Sequence, residues 1–171
     1  MPADDAAEEG DQDRAIRQQL DALGVAYQLV ACDPALADTA AFCEAYGYRL
    51  EDSANTIVVV GKSDPPRYVA CVVLADTKLD VNRAVKQRIG VRRVSFASAE
   101  ETKALTGMMI GGVTVFGLPP ELPIWVDERV MGRSQIILGG GSRSWKVLAP
   151  PEILRHLHNV EVIADLAVAR A

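Results

Sequence analysis

The sequence predicts a mixed α/β (α+β) domain with a curled central sheet and about five helices, and three observations carry that expectation. Two β-branched runs, "NTIVVV" and "YVACVVL", flank "GKSDPPR", whose glycine and prolines mark the turn of a hairpin. Segments of helical spacing with start and stop signals are interleaved with the apolar runs. The remaining strand candidates are short and lack the even βαβ spacing of a parallel wound sheet.

In chain order, Asp13 to Leu23 places Ile16, Leu20 and Leu23 at helical spacing, with Gly24 where a C-terminal cap belongs. "VAYQLVA" (Val25 to Ala31) alternates as a strand does. From Asp38, "DTAAFCEAYG" offers an N-cap, helix-forming alanines and a closing Gly47. Asn55 to Val60 and Tyr68 to Leu74 form the hairpin, expected at the centre of the sheet. Asp80 to Ile89 puts Val81, Ala84, Val85 and Ile89 on one helical face and Arg83, Lys86 and Arg88 elsewhere. Ser98 with Glu101 makes a capping box for a helix running to Thr106 and ending at Gly107. Short strands are expected around Val113, at Ile124 to Val126, Gln135 to Leu138 and Trp145 to Leu148. A last helix follows Pro150-Pro151, and "VEVI" comes after it.

With 171 residues, 49% apolar and 24% charged, the chain has the size and balance of one domain with a real core. The net charge of −5 is concentrated at the start: residues 1–14 hold six acids against Arg14, and the rest is neutral, with 17 acids and 17 bases. A tail of Ala, Asp, Glu and Gly buries too little apolar surface to offset its ordering entropy, so residues 1–11 are expected to be a disordered acidic tail and 12–171 the domain. No apolar run reaches 18 residues, and the acidic N-terminus lacks the basic-then-apolar pattern of a secretory signal, so a cytoplasmic protein is expected. Cys32, Cys43 and Cys71 are odd in number and show no C-x-x-C spacing, which indicates small buried hydrophobes rather than disulfides or zinc ligands.

Three places could carry chemistry. "TGMMIGGVTVFGLP" (Thr106 to Pro119) and "LGGGSRSWKVL" (Leu138 to Leu148) are glycine-rich; each is either a pair of turns between strands or a loop whose amides face an anion or a developing oxyanion. Neither is a phosphate loop or a dinucleotide fingerprint. From Lys78 to Arg93 the chain carries Lys78, Arg83, Lys86, Arg88, Arg92 and Arg93 against Asp80 alone, either a solvated face or a contact for a phosphate backbone. His156 and His158, two apart in the expected helix, cannot chelate one metal there. The absence of a G-x-S-x-G elbow argues against a serine hydrolase.

Taken in order, "LADTKLDVNRAVKQRIGVRRVSFASAEETKALTGMMIGGVTVFGLP", "PIWVDERV" and "IILGGGSRSWKVLAPPEIL" resemble the YbaK/EbsC-type family, aminoacyl-tRNA deacylase domains related to the editing insert of bacterial prolyl-tRNA synthetases. The resemblance runs from about Asp38 to Ala164. It implies a mixed sheet curled into a partial barrel, with a pocket between the two glycine loops. It further implies a substrate, the aminoacylated 3′ end of a tRNA bearing a small, wrongly attached amino acid such as Ala or Cys, hydrolysed in trans without metal or cofactor. Thr56, Gly111, Gly112, Gly139, Gly140 and Gly141 would contact the substrate, and Lys78, Arg83, Lys86 and Arg88 the tRNA. Three positions depart from the family. Asn55 stands where most active members have a lysine, Val115 where the loop proline is usual, and Lys146 where several members carry an acid. Either Lys146 takes over the missing amine's role, with Asn55 orienting the substrate, or Lys146 sits on an exposed strand end. In the second case the site has lost or changed its activity, and the domain is a non-catalytic module that binds aminoacyl-tRNA 3′ ends or a small ligand.

Overall fold

The hairpin is where the sheet begins. The computed structural model describes residues 11–170; the expected acidic tail lies outside the described residues except for Asp11, where helix α1 (Asp11–Ala22) starts. After strand β1 (Gln28–Ala31) and helix α2 (Thr39–Tyr46), β2 (Ala54–Gly61) and β3 (Arg67–Leu74) pair antiparallel along eight residues each, from Ala54↔Leu74 to Gly61↔Arg67. Their β-branched runs face apolar layers on both sides. Ala70, Val72 and Leu74 enter the main core with Ala54. Val69, Cys71 and Val73 enter a second core with Val59, as period-2 alternation requires.

Two further segments join this hairpin on either side. β4 (Thr77–Leu79) leads to a helix in two parts. In its first part, Val81–Val85, the Val85 N–H reaches back five residues to the Asp80 carbonyl at 3.1 Å; the second is the α-helical turn α3 (Lys86–Ile89). Val81, Val85 and Ile89 are buried in the second core while Arg83 and Arg88 are exposed, matching the amphipathic spacing. β5 (Val94–Phe96) pairs antiparallel with the far end of β2, and helix α4 (Ala99–Thr106) carries the capping box formed by Ser98 and Glu101. β6 (Ile124–Asp127) and β9 (Val160–Ile163) extend the sheet in parallel from β3, giving the order β5-β2-β3-β6-β9. Between them come helix α5 (Glu128–Met131), β7 (Ile136–Gly139) and β8 (Trp145–Ala149); β1, β8 and β7 form a three-stranded antiparallel sheet. β10 (Ala167–Ala169) pairs with β4.

The two larger sheets meet at one point, a parallel bridge between Ser53 and Ile137. The assembly is therefore a mixed, curled sheet that is open rather than a closed barrel.

Several local expectations are corrected. The segment around Val113 is not a strand. Val113, Val115, Phe116 and Leu118 are buried, but Gly111 and Gly117 hold φ of 92° and 72°, which breaks an extended run and makes this a core-filling loop. The helix after Pro150-Pro151 is a 3₁₀ turn, Pro151–His156. The first strand begins at Gln28, three residues later than its pattern. β4, β5 and β10, three residues each, and the four-residue α5 are too short to show a period. All three cysteines are free and buried, and His156 and His158 are exposed.

Candidate active site

β2 is paired with β3 along its whole length, but its other edge is covered only at the two ends. β5 pairs with Val59, Val60 and Gly61, and β7 makes a single backbone bridge, at Ser53 just before the strand. Backbone direction alternates along a strand. The Ala97 N–H donates to Val58 O at 2.9 Å and the Lys62 N–H to Arg93 O at 2.8 Å, so even-numbered residues of β2 aim their backbone groups away from β3. At Thr56 that direction meets no strand among the described residues.

A cavity of about 340 Å³ occupies this gap. Six consecutive residues, Ser53 to Val58, line it; consecutive residues alternate in face, so the cavity takes in the edge of the strand and not one surface of it. Opposite stand Ala37, Asp38, Thr39 and Phe42 at the start of α2, the Ile110–Gly111 loop, and Leu138, Gly139 and Lys146 of the β7–β8 hairpin.

Lys146 is a buried side chain, 7% exposed, and not the exposed strand end that was one of its two expected placements. Its Nζ donates to Ala37 O at 2.7 Å and Gly111 O at 2.9 Å and lies 5.5 Å from the centroid of the Phe42 ring. An ammonium has three N–H groups, so one is left for the cavity. Burial pushes its pKa below the usual lysine range, and the neighbouring Arg143 charge adds to the effect, while Asp38 opposes it.

Asn55 is fixed from the other side. Thr39 Oγ1 donates to Asn55 Oδ1 at 2.7 Å, which fixes the carboxamide's orientation, and its Nδ2 has no hydrogen-bond partner among the described residues. The Thr56 hydroxyl is buried with no hydrogen-bond partner among the described residues. Arg143 ties the walls together, donating to Ile110 O at 2.8 Å and Pro34 O at 3.0 Å and pairing with Asp38 at 3.2 Å. No histidine or cysteine lines the cavity. Burial raises the pKa of Cys32 and Cys43, and that of Cys71 to about 12, so the thiols are neutral and poor nucleophiles at neutral pH.

The structure divides the glycines expected to touch substrate. Gly111 and Gly139 line the cavity; Gly112, Gly140 and Gly141 do not. The Gly141 N–H donates to Gly112 O at 2.8 Å and the Gly112 N–H to Met109 O at 2.9 Å, so these two amides are already engaged. A Cβ on Gly112 would lie 2.6 Å from the Ser142 backbone, and one on Gly140 2.5 Å from the Trp145 carbonyl oxygen. These glycines let the two loops pack backbone to backbone. Sequence reasoning missed Thr39, Phe42, Phe96, Ile110 and Arg143. Thr39 reads locally as the first turn of a helix, and no signal in the chain links it to a residue sixteen positions on. Arg143, by contrast, stands inside the triple-glycine turn and could have been singled out.

Of the basic residues, Lys78, Arg83 and Arg88 are exposed and Lys86 is half-buried; Arg88 pairs with Glu161 at 3.0 Å. Their helix packs on the second-core face, and the same chain runs on through Arg92 and Arg93 into β5, whose last residue, Phe96, also lines the cavity.

A sheet-edge slot furnished with a buried ammonium, a pinned carboxamide and an open strand edge offers hydrogen-bond donors to oxygen acceptors. The chain belongs to the aminoacyl-tRNA editing domain family, of YbaK/EbsC type: the family model matches residues 33–157, which include every lining residue of the cavity. A protein of Enterococcus faecalis provisionally named a Cys-tRNA(Pro)/Cys-tRNA(Cys) deacylase, EbsC, is 28% identical over 105 residues, covering 61% of this chain and 62% of that protein. The chain thus aligns with somewhat under two thirds of that curated relative. Among solved structures, one described as a provisional trans-editing enzyme for prolyl tRNA synthetase superposes with a TM-score of 0.78 at 22% identity, over 95% of this chain and 99% of the other. A second, of a hypothetical protein, reaches 0.78 at 25% identity over 90% and 99%. These likenesses fit the curled α+β fold expected from the sequence.

Proposed function

We propose that the protein hydrolyses, in trans, the ester joining a small, wrongly attached amino acid such as Ala or Cys to the 3′ end of tRNA-Pro, and that it does so in the cytoplasm. The observation that carries this reading is the convergence of Lys146 and Asn55 on one cavity. Lysine at position 55 would supply a positive charge; here the charge comes from the opposite wall, and Asn55 supplies a neutral donor. In ester hydrolysis negative charge develops on the carbonyl oxygen, and donors already held in place stabilise it without reorganising. The third Lys146 N–H and the Asn55 Nδ2 amide are such donors. The Thr56 hydroxyl and the open backbone edge beside it suit the substrate's amino and hydroxyl groups. The attacking water comes from solvent, and the one carboxylate that lines the cavity among the described residues, Asp38, is already paired with Arg143.

A second reading, a module that holds the aminoacylated end without turnover, is favoured by Asn55 itself, because a carboxamide brings no charge to the position. Deacylation of mischarged Ala-tRNA or Cys-tRNA against a no-enzyme control separates the two. Accelerated loss of the ester supports the hydrolase, and an ester that outlives the control supports the binding module.

A further inference from the structure

The cavity's outer rim carries a feature that the ester chemistry does not use. Phe96 is 56% exposed and Ile110 52% exposed, and both line the cavity. Two exposed apolar side chains at the rim of one pocket present apolar surface where a bound ligand would pass. Register fixes where the ring stands. Phe96 pairs with Val59 across β5 and β2, so it lies on the second-core face of the sheet, the face to which alternation also assigns Asn55 and Ile57. The basic helix that begins at Val81 packs on that same face. The chain from Lys78 to Arg93 bears six cations against one acid and leads directly into the strand ending at Phe96. On this face Arg88 of the basic helix pairs with Glu161 of β9 at one edge of the sheet, and Phe96 stands on β5 at the other edge, beside the pocket of donors.

We propose that Phe96 is a stacking platform for the terminal nucleobase of the tRNA, adenine of the 3′ end, which lies on the ring while its ribose ester enters the slot beside Asn55 and Thr56. The proposal rests on the function proposed above and adds the group that recognises the nucleotide rather than the amino acid. The occupant follows from charge and chemistry together: a polyanion whose acylated end enters the pocket places a base at its mouth, and aromatic side chains hold single-stranded bases by stacking. Ile110 offers an apolar contact at the same rim.

The test uses the whole protein and two non-hydrolysable probes, 3′-alanylamino-3′-deoxyadenosine and the same sugar amide lacking the base, with Kd measured by calorimetry for wild type, Phe96→Ala and Phe96→Trp. The expected result is that removing the base weakens binding to wild type about tenfold or more. Phe96→Ala should lose the same factor for the adenosine probe and nothing for the base-free probe, and Phe96→Trp should retain the wild-type difference. Equal affinity of wild type for the two probes, or an unchanged preference in Phe96→Ala, overturns the stacking site while leaving the pocket's reading intact. Binding of neither probe overturns both. Because Phe96 is more than half exposed, its substitution leaves the core unaltered, and an unchanged thermal midpoint verifies this.

Discussion

Replacing Lys146 by methionine separates a catalytic ammonium from a structural one. Methionine retains most of the apolar stem and removes the charge and its two hydrogen bonds to Ala37 O and Gly111 O, at 2.7 and 2.9 Å. Hydrogen bonds from a charged group contribute about 1.5–3 kcal/mol each, but burying the ammonium costs a comparable amount. Both carbonyls border the cavity, where water can replace the lost donor. The net loss of stability is therefore expected to be only about 1–2 kcal/mol, a fall in Tm of roughly 2–8 °C for a domain of this size. Loss of a donor aimed at the developing oxyanion is larger, on the order of 2–4 kcal/mol, or about 30- to 1000-fold in rate. Single-turnover deacylation of mischarged Ala-tRNA gives the second quantity and urea unfolding the first. A Lys146→Met protein that deacylates at the wild-type rate and is merely less stable would refute the assignment and leave Lys146 as a staple between two loops.

The remaining predictions concern the same walls and their surroundings. Burial lowers the Lys146 pKa, so the wild-type rate should decline with rising pH before an ordinary lysine would titrate, whereas Lys146→Arg should stay flat through that window because guanidinium does not titrate. The sign for stability is the reverse: between the folded and unfolded pKa values the unfolded chain binds more protons, so this group's contribution to stability rises with pH, visible as an upward drift of the wild-type urea midpoint absent in Lys146→Met. Thr39→Val frees the Asn55 carboxamide and should lower kcat about three- to tenfold with Thr39→Ser near wild type; Asn55→Lys should raise deacylation, and an inert wild type unchanged by it would leave only the binding module. Reversing Arg83, Lys86 and Arg88 to glutamate should weaken tRNA binding and flatten its dependence on salt, and an unaltered slope removes that helix from the interface. Gly140→Ala should cost about 1–3 kcal/mol by driving a Cβ onto the Trp145 carbonyl, while Gly132→Ala, whose Cβ would meet nothing nearer than 3.5 Å, should stay within about 0.5 kcal/mol of wild type in urea unfolding.

What was legible in the chain was whatever depends on neighbours a few positions apart. The capping box of Ser98 and Glu101, the caps at Gly47 and Gly107, the hairpin about "GKSDPPR" and the buried stripe Val81, Val85, Ile89 all follow from local periods and turn chemistry. The family follows from the order of the glycine loops, which the match over residues 33–157 supports. The site was legible only as a set of candidates. Whether Lys146 faces solvent or the cavity depends on which edge of β8 meets β1 and β7. Whether Asn55 has a free donor depends on Thr39, brought to it by the packing of α2. That β2 is left open at Thr56 depends on β5 stopping at Val59 and β7 bridging only to Ser53. These are long-range pairings, and a sequence with one local pattern is compatible with several of them. Tertiary packing selects among them through the summed burial of Val59, Cys71, Val85 and the rest of the core, most of which lies outside the site. The chain by itself determined the parts and their family; the three-dimensional structure decided which of its polar groups were left unpaired around a common space.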